Sequence, residues 1–445
     1  MKKNIIKCVV FILIFCILFG AVQTLHQPKW GEGTAGARET TNAMGFYDEK
    51  EDAIDVMFFG SSAIFFATSP MKMFEEYGFA SYVRGSANQL PQMTYYMMKD
   101  AFKHQHPKVA VLEFGQFLRE FNMEDDEWIA RRALDYMPLN ATKIEAVANM
   151  NLGDFKTKLS YIFPLLRYHD RWAELNESDF EYYDWEAHSY LHGQYPGVSV
   201  FDVKLGKNFM QYSDEMVALP EECRQAFDQI VKLCQENNCE LVLVKSPRAG
   251  WNYAKYNTLQ ALADEYGLVY IDYNLPEYMK ATGILESSDF SYNQYHLRIT
   301  GAEKMSLHMG QYLIDTYDLP DRREDPDYTE WLTDLEEYNA FKDKNGIRYC
   351  SVEIPELGTI SSDDKGITLT WNSVENASKY AVFRKTPETT WETMGYVEGL
   401  EYYDTAVEKG TEYIYTVKAI SGVVVSYCDA DGLRILFSGE QPSAD

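Results

Sequence analysis

A chain of 445 residues is long enough for two or three domains, each with its own core. A formal net charge of -27 leaves no surplus of Lys and Arg to neutralise phosphates, which argues against nucleic-acid binding. Seven cysteines with no Cys-x-x-Cys pair, and no His/Cys/Asp cluster at ligand spacing, speak against a metal site.

The first element in chain order is apolar. "MKKNIIKCVVFILIFCILFGAVQT" sets Lys2, Lys3 and Lys7 before an apolar run from Cys8 to Val22. That run is long for a signal-peptide core and slightly short for a spanning helix unless Ile5 and Ile6 are counted. No small-x-small cleavage site follows, so residues 1–28 read as an uncleaved anchor, with a cleaved signal as the alternative. The basic flank keeps the N-terminus cytoplasmic and puts residues from about 30 onward outside the membrane.

From Ile54 onward strands and helices alternate. Short, nearly continuous apolar runs predict strands at Ile54–Phe59, Val109–Glu113, Glu240–Lys245 and Leu268–Asp272. Helical patterns lie at Pro91–His104, Glu221–Glu236, Tyr253–Tyr266 and Thr300–Thr316. This order predicts an α/β domain over residues 50–318 with a doubly wound parallel sheet. An insertion at 114–220, rich in Tyr, Trp and His, is long enough to line or cover a site, and its aromatics are available to stack sugar rings or simply to pack.

Residues 319–349 read as an acidic linker with a short helix. The remainder, 350–438, switches to a period of two. Ile367, Leu369 and Trp371 share one face, Tyr380 and Val382 follow a turn, and Tyr413, Tyr415 and Val417 point inward. With the Trp371 strand, "YYDT" at Tyr402–Thr405 and a Gly410-x-x-Tyr413 corner, this stretch resembles a fibronectin type III domain, a β-sandwich. Cys350 and Cys428 bracket it and are candidates for a pair.

Two separated stretches carry the chemistry. "DVMFFGSSAIFFATSP" runs a buried strand into Gly60-Ser61-Ser62, where ligands bind in an open α/β sheet. Either serine is a potential nucleophile if a base lies within reach, and otherwise both merely cap the next helix. "SDFSYNQYHLRITGAEKMS" places His296 in a loop before a helix, with Thr300 as N-cap and Glu303 in capping-box spacing.

Together with "SYVRGSANQLPQ" around Gly85, these blocks resemble the SGNH (GDSL-like) hydrolase superfamily, in particular its envelope-associated members of the DltD and AlgX/AlgJ types. The resemblance implies a flavodoxin-like three-layer fold and acyl or acetyl ester chemistry on a cell-envelope polysaccharide. It calls for no cofactor, and for transfer it implies a membrane O-acyltransferase as partner. By resemblance Ser62 is the nucleophile and His296 the general base. The oxyanion falls to the N–H groups of Ser62 and Gly85, with Asn88 or Gln89 assisting. The usual third-block Asn is replaced by "LEFGQF", where Gln116 is the nearest candidate. Lys245, after a strand at the crevice edge, is a substrate-binding candidate or else a solvated surface lysine.

The position that carries Asp in the family's Asp-x-x-His segment is Asn293. Asp would stabilise the imidazolium, whereas Asn accepts one hydrogen bond without supplying charge. Three readings stay open: a Ser–His dyad with Asn293 as orienter, Asp289 as the acid, or a degenerate site kept for binding. The functional expectation is therefore a serine esterase or O-acyltransferase, membrane-attached or secreted. Its rival is a non-catalytic glycan-binding or scaffold protein.

Overall fold

The computed structural model describes residues 2–26, 45–121, 123–175, 190–199, 205, 209–291, 294–347, 353–389, 391–421, 424–426, 428–429 and 431–439. The chain divides into two compact units. The first comprises Met1–Gly197, Gly206–Thr282 and Tyr295–Gly346, and the second Val198–Leu205, Gly283–Gln294 and Ile347–Asp445. The α/β region is thus not one contiguous stretch, because two of its segments belong with the C-terminal strands.

The first unit opens with α1 (Lys2–His26), long and apolar enough to cross a membrane or to serve as a signal sequence. Then come β1 (Val56–Gly60), α2 (Ser62–Ala67), α3 (Pro70–Tyr77), β2 (Ser81–Gly85), α4 (Pro91–Ala101) and β3 (Val109–Glu113). The insertion contributes α5 (Met123–Leu134), α6 (Ala141–Asn149), α7 (Phe155–Ile162) and α8 (Leu165–Tyr168). After it follow α9 (Glu221–Glu236), β4 (Glu240–Lys245), α10 (Tyr253–Tyr266), β5 (Val269–Asp272), α11 (Pro276–Thr282), α12 (Ile299–Thr316) and α13 (Thr329–Lys344).

The five strands form one parallel sheet in the order β2-β1-β3-β4-β5, the order of flavodoxin-like doubly wound sheets. β1 and β3 are buried along their whole length, which explains why they read as unbroken apolar runs rather than alternating ones. α4 packs with α9, whereas α2 and α3 pack with α12, as covering both sheet faces requires. The strand β2 was not expected from the sequence. "SYVRG" carries an arginine, and that arginine is buried only because Asp100 (3.1 Å), Tyr47 (2.6 Å) and the Phe46 ring (4.0 Å) surround Arg84.

Two boundary expectations are corrected. Thr300 is not the cap of α12, which starts a residue earlier with Arg298 at the N-cap, and Glu303 is buried, bonded by Tyr338 (2.8 Å) and Lys342 (2.9 Å). Residues 319–349 are not a free linker: α13 lies in the first unit and packs on α3, burying Trp331 and Tyr338. Acidic residues on its exposed face gave it a linker's composition.

The second unit holds two antiparallel sheets. β6 (Leu357–Ser362), β7 (Ile367–Trp371) and β10 (Glu401–Asp404) pair in the order β10-β7-β6. β8 (Lys379–Lys385), β9 (Glu392–Val397), β11 (Glu412–Ser421), β12 (Val424–Val425) and β13 (Leu433–Leu436) build the other around β11. Ile367, Leu369, Trp371, Tyr380, Val382, Tyr413, Tyr415 and Val417 form its core, consistent with a β-sandwich. The Tyr413 hydroxyl accepts the Glu408 N–H at 3.0 Å, the contact a tyrosine corner makes. Cys350 lies outside the described residues, and so does its pairing with Cys428.

Candidate active site

Three neighbouring strands end together, and their exits build the site. Gly60 leaves β1 at φ 148°, and a Cβ there would meet the Glu113 Cβ at 2.7 Å, so no other residue fits between β1 and β3. Gly85 stands beside Gly60 in register, and a Cβ on it would fall 2.5 Å from the Gly60 carbonyl oxygen. β3 continues through Phe114 into a 3₁₀ turn, Gly115–Leu118, that carries Gln116.

The two serines divide their roles. Ser61 is fully buried and caps α2, its Oγ accepting the Ala63 N–H at 3.3 Å. That Oγ also accepts from Gln116 Nε2 at 3.3 Å, which ties the exit of β3 to that of β1. Ser62, the first residue of α2, is half-buried and faces the His296 ring.

His296 Nε2 lies 2.8 Å from Ser62 Oγ, across 234 residues of sequence. With the ring proton on Nδ1, the serine hydroxyl donates to Nε2, the arrangement in which an imidazole acts as general base. The ring stacks on Phe66 of the same helix as Ser62, centroids 4.4 Å apart and planes 28° from parallel. One short helix therefore supplies both the hydroxyl and the surface that fixes the ring. Phe66 was missed as a site residue because an apolar helix face carries no sequence signal beyond burial.

Asn293 lies outside the described residues. Asp289 is buried in the second unit, and its carboxylate accepts the Leu285 N–H at 2.8 Å within its own helical turn.

The remaining candidates are placed as follows. Asn88 sits half-buried in the turn after β2 at φ 57°, in the left-handed region that Asn tolerates. Gln89 is not a substrate contact: it is buried, its Oε1 accepts from Ser86 N (2.9 Å) and Ser86 Oγ (3.1 Å), and its Nε2 donates to Thr94 (2.9 Å). It holds the turn that follows Gly85. Lys245 is neither a substrate contact nor a surface lysine. It is fully buried, with Nζ 2.5 Å from Glu113 Oε1 and 3.1 Å from the Ser246 carbonyl. Burial pulls its pKa down against the Glu113 carboxylate beside it. "ELVLVKS" shows a charge at a strand end but not that the next strand supplies its counter-charge.

That pair belongs to a polar layer beneath the crevice. Asp272 accepts from Trp251 Nε1 (2.7 Å) and Tyr270 OH (3.0 Å), and burial raises its pKa despite the donors around it. A cleft of about 460 Å³ opens at the other end of the sheet, where Asp52 and Ala53 precede β1. Its lining is mainly acidic and holds no hydroxyl–imidazole pair.

No protein-family model matches this chain, and no curated protein matches it. Among solved structures it is similar to the fourth FNIII domain of a human protein, at 16% identity over 22% of this chain and 90% of that one, with a TM-score of 0.19. It is also similar to a Fn3-like protein from Clostridium thermocellum, at 29% identity over 18% and 88% of the two chains, with a TM-score of 0.17. The fn3 domain of human collagen alpha-1(XX) chain is similar at 22% identity over 22% and 97%, with a TM-score of 0.18. These likenesses cover 18–22% of this chain.

Proposed function

We propose that the first unit is an SGNH-type serine enzyme that hydrolyses or transfers acyl esters on a cell-envelope polysaccharide, held outside the membrane by α1 as a single span. The observation that carries this reading is the 2.8 Å contact between Ser62 Oγ and His296 Nε2 at the carboxyl ends of a parallel sheet.

In the mechanism, His296 takes the Ser62 proton as Oγ attacks the acyl carbonyl. The tetrahedral oxyanion is held by the N–H groups of Ser62 and Gly85, with Asn88 beside them. Collapse expels the alcohol, which receives the proton from His296 and leaves an acyl-serine. Water then gives hydrolysis, and a polymer hydroxyl delivered with a membrane O-acyltransferase gives transfer. The Phe66 stack keeps the imidazole on line for both proton movements. Asn293, at the family's acid position, supplies no charge, so the chemistry runs as a Ser62–His296 dyad.

A fluorophosphonate probe tests the reading, since it labels only a serine activated by a base. Labelling that is lost in Ser62→Ala and His296→Ala but kept in Ser61→Ala supports the enzyme. A folded protein that never labels but binds acetylated glycan supports the scaffold reading instead.

A further inference from the structure

We infer that the α7–α8 end of the insertion is seated in the interfacial layer of the bilayer that α1 crosses, so the first unit rests on the membrane rather than hanging from a tether. This rests on the reading of α1 as a membrane span, and not on the proposed acyl chemistry.

The geometry starts from α1 itself. At about 1.5 Å per residue its 25 residues cover roughly 37 Å, more than the ~30 Å hydrocarbon core, so its last turn reaches the headgroup level. That turn is where its polar groups begin, at Gln23, Thr24 and His26. Three contacts fix the insertion to this level. Gln23 Oε1 accepts the Leu165 N–H at 2.7 Å, Arg171 Nη1 donates to the His26 carbonyl at 3.2 Å, and the Phe19 and Phe163 rings lie 6.2 Å apart. Phe19 is a full turn deeper than Gln23, so Phe163, which meets it, stands at the edge of the hydrocarbon.

Around these contacts the surface is apolar and open. Phe155 is 76% exposed, Trp172 71% and Leu166 44%. Single exposed apolar residues need no explanation, but several large ones on the segment that meets the end of a spanning helix do. Tryptophan in particular favours the headgroup boundary, where its ring is half apolar and its N–H stays wet. The nearby charges are mixed, with Lys156 and Arg167 against Asp154 and Asp170, so insertion of apolar side chains and not charge attraction sets the contact.

The test uses the full-length chain in phosphatidylcholine nanodiscs whose acyl chains carry bromine, which quenches tryptophan at short range. Relative to the native chain, Trp172→Phe is expected to lower the bromine-quenched emission roughly twofold, as loss of an interfacial ring requires. Trp251→Phe, which removes a ring buried under the sheet, leaves it unchanged. Carbonate extraction of the same protein from membranes separates the two claims. A chain that resists extraction but whose quenching is indifferent to Trp172→Phe overturns the seated surface and keeps the anchor. A chain found in the soluble fraction with α1 removed overturns both.

Discussion

Two histidines of the first unit sit in opposite surroundings. His192 is fully buried, with Nδ1 2.7 Å from Glu49 and Nε2 3.1 Å from Asp334, and it stacks on Trp331 at 3.7 Å. Burial alone would drive its pKa down, but the two carboxylates outweigh it and hold the ring protonated, with the pKa raised to about 9. His296 instead is half-buried, and its Nε2 meets a serine hydroxyl. The histidine with the two carboxylates has neither a nucleophile nor access to solvent, so its charge locks the segment before β1, the insertion and α13 together. The two rings thus differ in exposure and in partner, a serine hydroxyl for His296 and two carboxylates for His192.

The comparison breaks most sharply on activity. Ser62→Ala or His296→Ala is expected to lower esterase turnover by roughly 10⁴-fold or more with thermal unfolding unchanged, measured by hydrolysis of an activated acyl ester. His192→Ala should do the reverse. It leaves Glu49 and Asp334 buried without their cation and costs about 3–5 kcal/mol, read from denaturant unfolding. Activity per folded molecule then remains.

The pH dependence of stability sharpens the contrast. Because the folded pKa of His192 is raised above its unfolded value near 6.5, its contribution is fully present below that value. It is lost as pH rises through about 9, so unfolding midpoints should fall across this window. In His192→Gln that part of the fall should disappear. A native profile that is flat between these limits would contradict a protonated His192.

Smaller effects test the frame around Ser62. Gly85→Ala forces a methyl against the Gly60 carbonyl and is expected to cost about 1–3 kcal/mol and to reduce probe labelling, since the exits of β1 and β2 must part. Ser61→Ala loses the cap of α2 and the bond from Gln116, about 1 kcal/mol, and should keep its labelling.

Much of this architecture was legible in the chain. Continuous apolar runs announced β1, β3, β4 and β5, because strands covered on both faces have no polar face to alternate with. Period-two alternation marked β7 and β8 for the opposite reason. β2 escaped because Arg84 breaks its apolar run, and α13 escaped because its exposed face looks like a linker. Of the site, Ser62 and His296 were visible as polar residues at a strand exit and a helix entrance. Gln89 and Lys245 looked equally available, yet both are consumed internally, by Ser86 and Thr94 and by Glu113.

The sequence by itself determined most of the strands and helices that frame the sheet and where hydroxyls and imidazoles stand relative to them, since periodicity and turn chemistry are local. Only the tertiary structure decided which imidazole meets a hydroxyl, which is clamped by carboxylates and which charged groups lose their water. Those outcomes depend on contacts between residues 132 to 234 positions apart, whose energies no local pattern encodes.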